Sequence, residues 1–116
     1  MVFDYFTKPE ALVRWMGELA TLDPRPGGEF ILFFGGSAVE GRYLEVEPPR
    51  HLVISWGRAG SDEFPPHSST LEVNLTPEGD GTRVSIVHSG LPEDERSKHA
   101  AGWRHHLLQL AAVGSE

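Results

Sequence analysis

Cysteine is absent from the 116 residues, which removes disulfides, thiolate nucleophiles and cysteine-held zinc together. That composition fits a reducing compartment, so a cytoplasmic protein is expected. Basic residues are scarce. Ten Lys and Arg stand against 17 Asp and Glu, and the formal net charge of −7 disfavours a nucleic-acid backbone as partner. No apolar run approaches the ~20 residues that cross a bilayer, and no charged-then-apolar signal segment opens the chain, so no membrane partner is expected. There is no repeat of fixed period, no low-complexity segment and no stretch long enough to link two domains. What remains is a single-domain length with 39% hydrophobic residues and six Phe, which indicates one globular domain over residues 1–116.

The hydrophobic period changes twice along the chain. Val2, Phe3 and Phe6 have helical spacing, and Thr7-Lys8-Pro9-Glu10 reads as a second helix start, with Thr7 as cap and Pro9 where a missing N–H costs little. Leu12, Trp15, Met16 and Leu19 follow at steps of three and four, with Gly17 as the stop. The first twenty residues therefore predict two short helices or one broken helix. From Pro26 the period is two. Strands are predicted at Glu29 to Phe34, Val39 to Val46, Leu52 to Trp56, Ser69 to Thr76 and Thr82 to His88. Turns at Gly35-Gly36-Ser37, Pro48-Pro49-Arg50 and Glu78-Gly79-Asp80-Gly81 separate them, and short connections of this kind imply an antiparallel meander. After Pro92 the helical period returns. Glu93, Asp94 and Glu95 suit a first turn, and Ala100, Trp103, Leu107, Leu110 and Ala111 form a stripe broad enough to lie against a curved sheet. The class is α+β.

These segments resemble a known family. Thr7-Lys8-Pro9-Glu10 with Trp15, Asp23-Pro24-Arg25-Pro26-Gly27-Gly28-Glu29-Phe30, Gly41 to Val46 with Pro48-Pro49-Arg50, Leu52 and Trp56, Gly81 to Val84, His88-Ser89-Gly90-Leu91, and Gly102-Trp103 with Leu107 stand in the same order as motifs of the activator-of-heat-shock-ATPase homologue-like family. That family is a branch of the SRPBCC superfamily, START-like and birch-pollen-allergen-like. The resemblance implies a helix-grip fold: a curved antiparallel sheet of five to six strands around a long C-terminal helix, with two short helices near the N-terminus. Across the superfamily this fold encloses a cavity for lipids, sterols, polyketides and other apolar molecules, and the eukaryotic namesake stimulates a chaperone ATPase. A cavity of that kind would be lined here by Trp15, Phe30, Leu32, Tyr43, Trp56, Leu71, Val73, Ile86, His88, Trp103 and Leu107. Family members carry a strand ahead of the first helix, and none is expected in this chain. That strand lies beside the last of the meander. Its loss would leave Thr82 to His88 as a long β-branched edge with one charge, Arg83, and either a homodimer through this edge or a truncated start follows as an expectation.

Six histidines raise the question of a metal. His99, His105 and His106 lie at offsets of six, seven and one, whereas helical zinc ligands need three or four. No metal site and no cofactor are assigned. Alternation places His88 with Val84 and Ile86, as a core histidine satisfied by a backbone or Ser partner, or as a polar pocket group or general base. Tyr43 and Glu45, two apart, would share one strand face and could assist it. No nucleophile or second acid/base group can be placed beside His88, so no catalytic residue is assigned and no enzyme is expected. Arg25 fits an anionic ligand or an ion pair. The favoured function is binding or sensing of a small apolar molecule. The alternatives are an interaction protein acting on a chaperone ATPase, and a small cyclase- or hydrolase-like enzyme using His88.

Overall fold

The strands of the computed structural model follow chain order without exception: β1 (Leu19–Leu22), β2 (Glu29–Phe34), β3 (Ser37–Glu47), β4 (His51–Trp56), β5 (Ser69–Glu78) and β6 (Gly81–Ser89). The structure describes residues 2–114. Each strand pairs antiparallel with the next, in one six-stranded sheet ordered β1-β2-β3-β4-β5-β6. Two helices of four residues, α1 (Asp4–Thr7) and α2 (Pro9–Leu12), precede the sheet, and α3 (Glu93–Gly114) follows it. This is the α+β, helix-grip arrangement the motifs implied.

Period-two alternation decides what is buried. Phe30 and Leu32 on β2, Tyr43 on β3, Leu52, Ile54 and Trp56 on β4, and Leu71, Val73 and Leu75 on β5 all point inward and are nearly inaccessible. The N-terminal helices close one end of this core with Phe6, Leu12 and Trp15. Trp15 packs edge-on against Phe6, with ring centroids 5.1 Å apart, and donates its indole N–H to the Tyr5 carbonyl at 2.9 Å. Its large ring is thereby buried with its polar atom satisfied.

Three local expectations are corrected. Leu19 belongs to β1 rather than to a helical stripe, and it is 63% exposed. Gly17, at φ +77°, does end the helical segment, and the chain leaves it directly into a fifth pair of strand neighbours, Leu19 to Leu22 against Phe33 to Phe30. Thr7 is the last residue of α1 and donates its hydroxyl to the Phe3 carbonyl at 3.2 Å, while Lys8, which makes no side-chain capping hydrogen bond, precedes Pro9 at the start of α2. Tyr43 and Glu45 lie on opposite faces. A β-bulge between them shifts the register, so that Tyr43 pairs with Ile54 and Glu45 with Val53, and one extra residue turns every later side chain over.

α3 is 22 residues long, roughly 33 Å. Only Trp103 and Leu110 are buried on it, Leu107 is half-buried, and Ala100 and Ala111 are exposed. The apolar stripe is therefore narrower than its spacing indicated, and the helix rests on the sheet along a thin line of contacts.

Candidate functional site

The helix meets the sheet at Trp103. Its ring packs against Trp56 on β4 with centroids 5.4 Å apart, and its indole N–H donates to His88 Nδ1 at 3.1 Å. Because Nδ1 accepts, the neutral ring carries its proton on Nε2, which donates to Ser69 Oγ at 2.8 Å. The Ser69 hydroxyl then donates to the Trp56 carbonyl at 2.7 Å. Both ring nitrogens of His88 are committed in this relay. Burial, with a smaller contribution from the neighbouring His99, pushes the His88 pKa down to about 4, so the ring is neutral at pH 7.

A cleft opens on each side of α3. One, of about 410 Å³, lies between the helix and the β2–β3 corner with the end of β4. Phe34, Val39 and Trp56 form its sheet side, and His99, Trp103 and His106 its helix side. The other, of about 570 Å³, lies between α3 and β6, with Ile86, His88, Leu91 and Leu107 around Trp103. Pockets for small molecules are of this size and character, mainly apolar with a few placed polar groups. Among the residues expected to line a cavity, Trp56, Ile86, His88, Trp103 and Leu107 border these clefts. Trp15, Phe30, Leu32, Tyr43, Leu71 and Val73 are packed into the core and border neither.

The trio needed for His88 chemistry does not converge. Tyr43 donates its hydroxyl to the Phe6 carbonyl at 2.8 Å, and burial, with the Asp23 charge, raises its pKa well above the usual phenol value. Glu45 lies on the opposite face of the sheet, beside His51. Arg25 is ion-paired, Nε to Asp23 Oδ2 at 2.8 Å.

Several residues that matter here carry no sequence signal. Glu95, largely buried, accepts the Arg58 guanidinium at 3.3 Å and lies 3.7 Å from the Lys98 ammonium. The ring Nδ1 of His99 lies 2.9 Å from the Glu95 carbonyl, and that of His106 lies 3.2 Å from the Trp15 carbonyl. The Trp15 contact joins residues 91 apart, which no local pattern could reveal. On the outer face, Glu45, Glu47 and His51 hold metal-ligating atoms within 4.8 Å of one another, the one such group among the described residues. The Asn74 amide oxygen bonded to His51 Nδ1, aided by the Glu45 and Glu47 carboxylates, raises the His51 pKa. Among the described residues, no helix is long and apolar enough to cross a membrane.

A family model described as Activator of Hsp90 ATPase homolog 1-like protein matches residues 1–114. The human protein named Activator of 90 kDa heat shock protein ATPase homolog 1 is 23% identical over 108 residues, 93% of this chain and 31% of the relative. The chain spans about a third of the length of the curated relatives it matches. The solution structure of an AHSA1-like protein from Rhizobium etli superimposes with a TM-score of 0.67 at 40% identity, over 94% of this chain and 69% of that one. The Aha1 dimer from Colwellia psychrerythraea shares the fold, with a TM-score of 0.77 at 20% identity, over 94% of this chain and 81% of that one.

Proposed function

The chain belongs to the Activator of Hsp90 ATPase homolog 1-like family, and from that premise we propose that it binds or senses a small apolar molecule between α3 and the sheet. The observation that carries this reading is the cleft of about 410 Å³ walled by Trp56, Trp103 and Phe34. It is open enough to admit a ligand, and its walls are aromatic. A binding role also fits His88 better than catalysis does, because its two nitrogens are already engaged and Tyr43 and Glu45 are committed elsewhere. Native mass spectrometry and thermal shift against lipid, sterol and aromatic libraries test the reading. Saturable binding that shifts the Gly102 and Trp103 amide signals supports it. A library without a single binder ends it.

Two further readings rest on separate observations. The curated relatives are named as activators of a heat-shock ATPase, which favours contact with a chaperone of that class. Pull-down with a chaperone middle domain tests that contact, and no enrichment over a bead control rejects it. The second reading is a homodimer. β6 pairs with β5 along one edge, no strand among the described residues pairs its other edge, and Val87 on it is 51% exposed. An unprotected edge of nine residues is a template for a second copy.

A further inference from the structure

The outer face of the sheet carries a second constellation, built by three neighbouring strands. Glu45 and Glu47 stand on β3, His51 opens β4, and Glu72 and Asn74 stand on β5. Strand register brings them together. His51 pairs with Glu47 on one side and Asn74 on the other, and Val53, two residues on, pairs with Glu45 and Glu72. The β-bulge after Tyr43 delivers Glu45. In an unbroken strand Glu45 would share the inward face of Tyr43, and the extra residue turns Glu45 and Glu47 outward together.

The His51 imidazole is fixed at one nitrogen and open at the other. Nδ1 lies 2.8 Å from Asn74 Oδ1, and an amide oxygen can only accept, so Nδ1 carries the proton. In the neutral ring Nε2 keeps its lone pair. That atom lies 3.6 Å from Glu45 Oε2, 3.8 Å from Glu47 Oε2 and 3.9 Å from Glu72 Oε2. The three distances are nearly equal, and each is too long for a direct hydrogen bond. A proton on Nε2 could serve one of these oxygens, whereas a cation among them could serve several. Ligating atoms of Glu45, Glu47 and His51 all lie within 4.8 Å of one another. Around a tetrahedral zinc ion with bonds near ~2.1 Å, neighbouring ligand atoms stand about 3.4 Å apart. A small inward movement of the two carboxylates closes the set, and their side chains are 60% and 66% exposed. His51, 20% exposed, is the anchored member.

We propose that Glu45, Glu47 and His51 bind a divalent transition-metal ion of the zinc type, with Asn74 holding the imidazole in its ligating tautomer and Glu72 beside the fourth position. An imidazole among carboxylates suits zinc, while calcium and magnesium prefer a shell of oxygens. A hydrogen bond from the far ring nitrogen to an oxygen is the usual support of a metal-bound histidine, and here Asn74 supplies it. The ion would join β3 to β4 across the bulge. It lies on the face opposite the apolar clefts and does not depend on what they hold.

The test uses the full chain and Zn²⁺ as the probe, in a buffer that does not bind metal. Calorimetry is expected to show a saturable step at a single equivalent, and imidazole proton–nitrogen spectra should identify His51 Nε2 as the nitrogen that shifts. His51→Ala should remove that step. Asn74→Ala, which takes away only the support, should weaken it by about 10- to 100-fold. Ca²⁺ should bind at least roughly tenfold more weakly than Zn²⁺. Unchanged Zn²⁺ affinity in His51→Ala, or Ca²⁺ bound as tightly as Zn²⁺, would reduce the cluster to an acidic surface and overturn the proposal. Shifts confined to His105 and His106 on α3 would place the ion elsewhere and overturn it as well. So would the absence of binding at millimolar Zn²⁺. If a variant fails to fold, the His51 Nε2 signal and the comparison of Zn²⁺ with Ca²⁺ on the unaltered chain decide.

Discussion

Trp103 donates its indole N–H to His88 Nδ1 across 3.1 Å, which ties the tryptophan of α3 to the sheet by a directed bond. The bond exists only while His88 is neutral, because an imidazolium has no lone pair to offer.

Stability should therefore fall in acid. The folded-state pKa of His88 is lowered by burial to about 4 from the ordinary imidazole value of 6.5, so the unfolded chain binds the proton more readily. The contribution of His88 is complete above pH 6.5 and is lost as the pH falls towards 4. Thermal unfolding followed between pH 8 and 4 should show a declining midpoint over that window, and His88→Phe should flatten that part of the curve. An unaltered slope in the variant would assign the decline to other groups.

Trp103→Ala should cost roughly 3–5 kcal/mol. The substitution removes the ring packed on Trp56 and leaves the buried His88 Nδ1 without its donor. Chemical denaturation measures it. A variant with nearly unchanged stability would mean that α3 is not held at this crossing.

Gly41→Ala should cost about 3 kcal/mol or more. A Cβ at Gly41 would lie 1.6 Å from the backbone oxygen of Ser55, and backbone cannot swing aside as a side chain can. Urea unfolding of the variant gives the value. A loss below 1 kcal/mol on the order of an ordinary surface change would show that β3 and β4 can part at this point.

Val87→Lys tests the homodimer. Val87 faces outward on the free edge of β6, and an edge lysine opposes pairing with a second copy. Light scattering should report a dimer for the unaltered chain at high concentration and a monomer for the variant. A monomer in both cases rejects self-association through β6.

β5 was the most legible strand because its residues alternate cleanly: Leu71, Val73 and Leu75 are buried and Glu72 and Asn74 are only partly so. β1 was not legible. Its four residues follow a true helical stripe, and Leu19 continues the spacing by coincidence while standing in solvent. The bulge after Tyr43 was invisible for another reason, since a bulge is a property of the pair of strands and not of either one. At the site, His88 with a Ser partner was readable from alternation. The roles of His99 and His106 carry no such signal, because their carbonyl partners lie on the same helix turn and 91 residues away.

Strand order that copies chain order bears on how the protein reaches its native state. Each strand pairs with its neighbour in sequence, so the hairpins can form early and in succession at little entropic cost. The helix is the exception: His106 must find the Trp15 carbonyl across 91 residues, and Trp103 must find its place on a finished β4 and β6. During synthesis the meander would thus emerge before α3, with Trp56, Leu71 and Val73 bare to solvent until α3 follows and seals them.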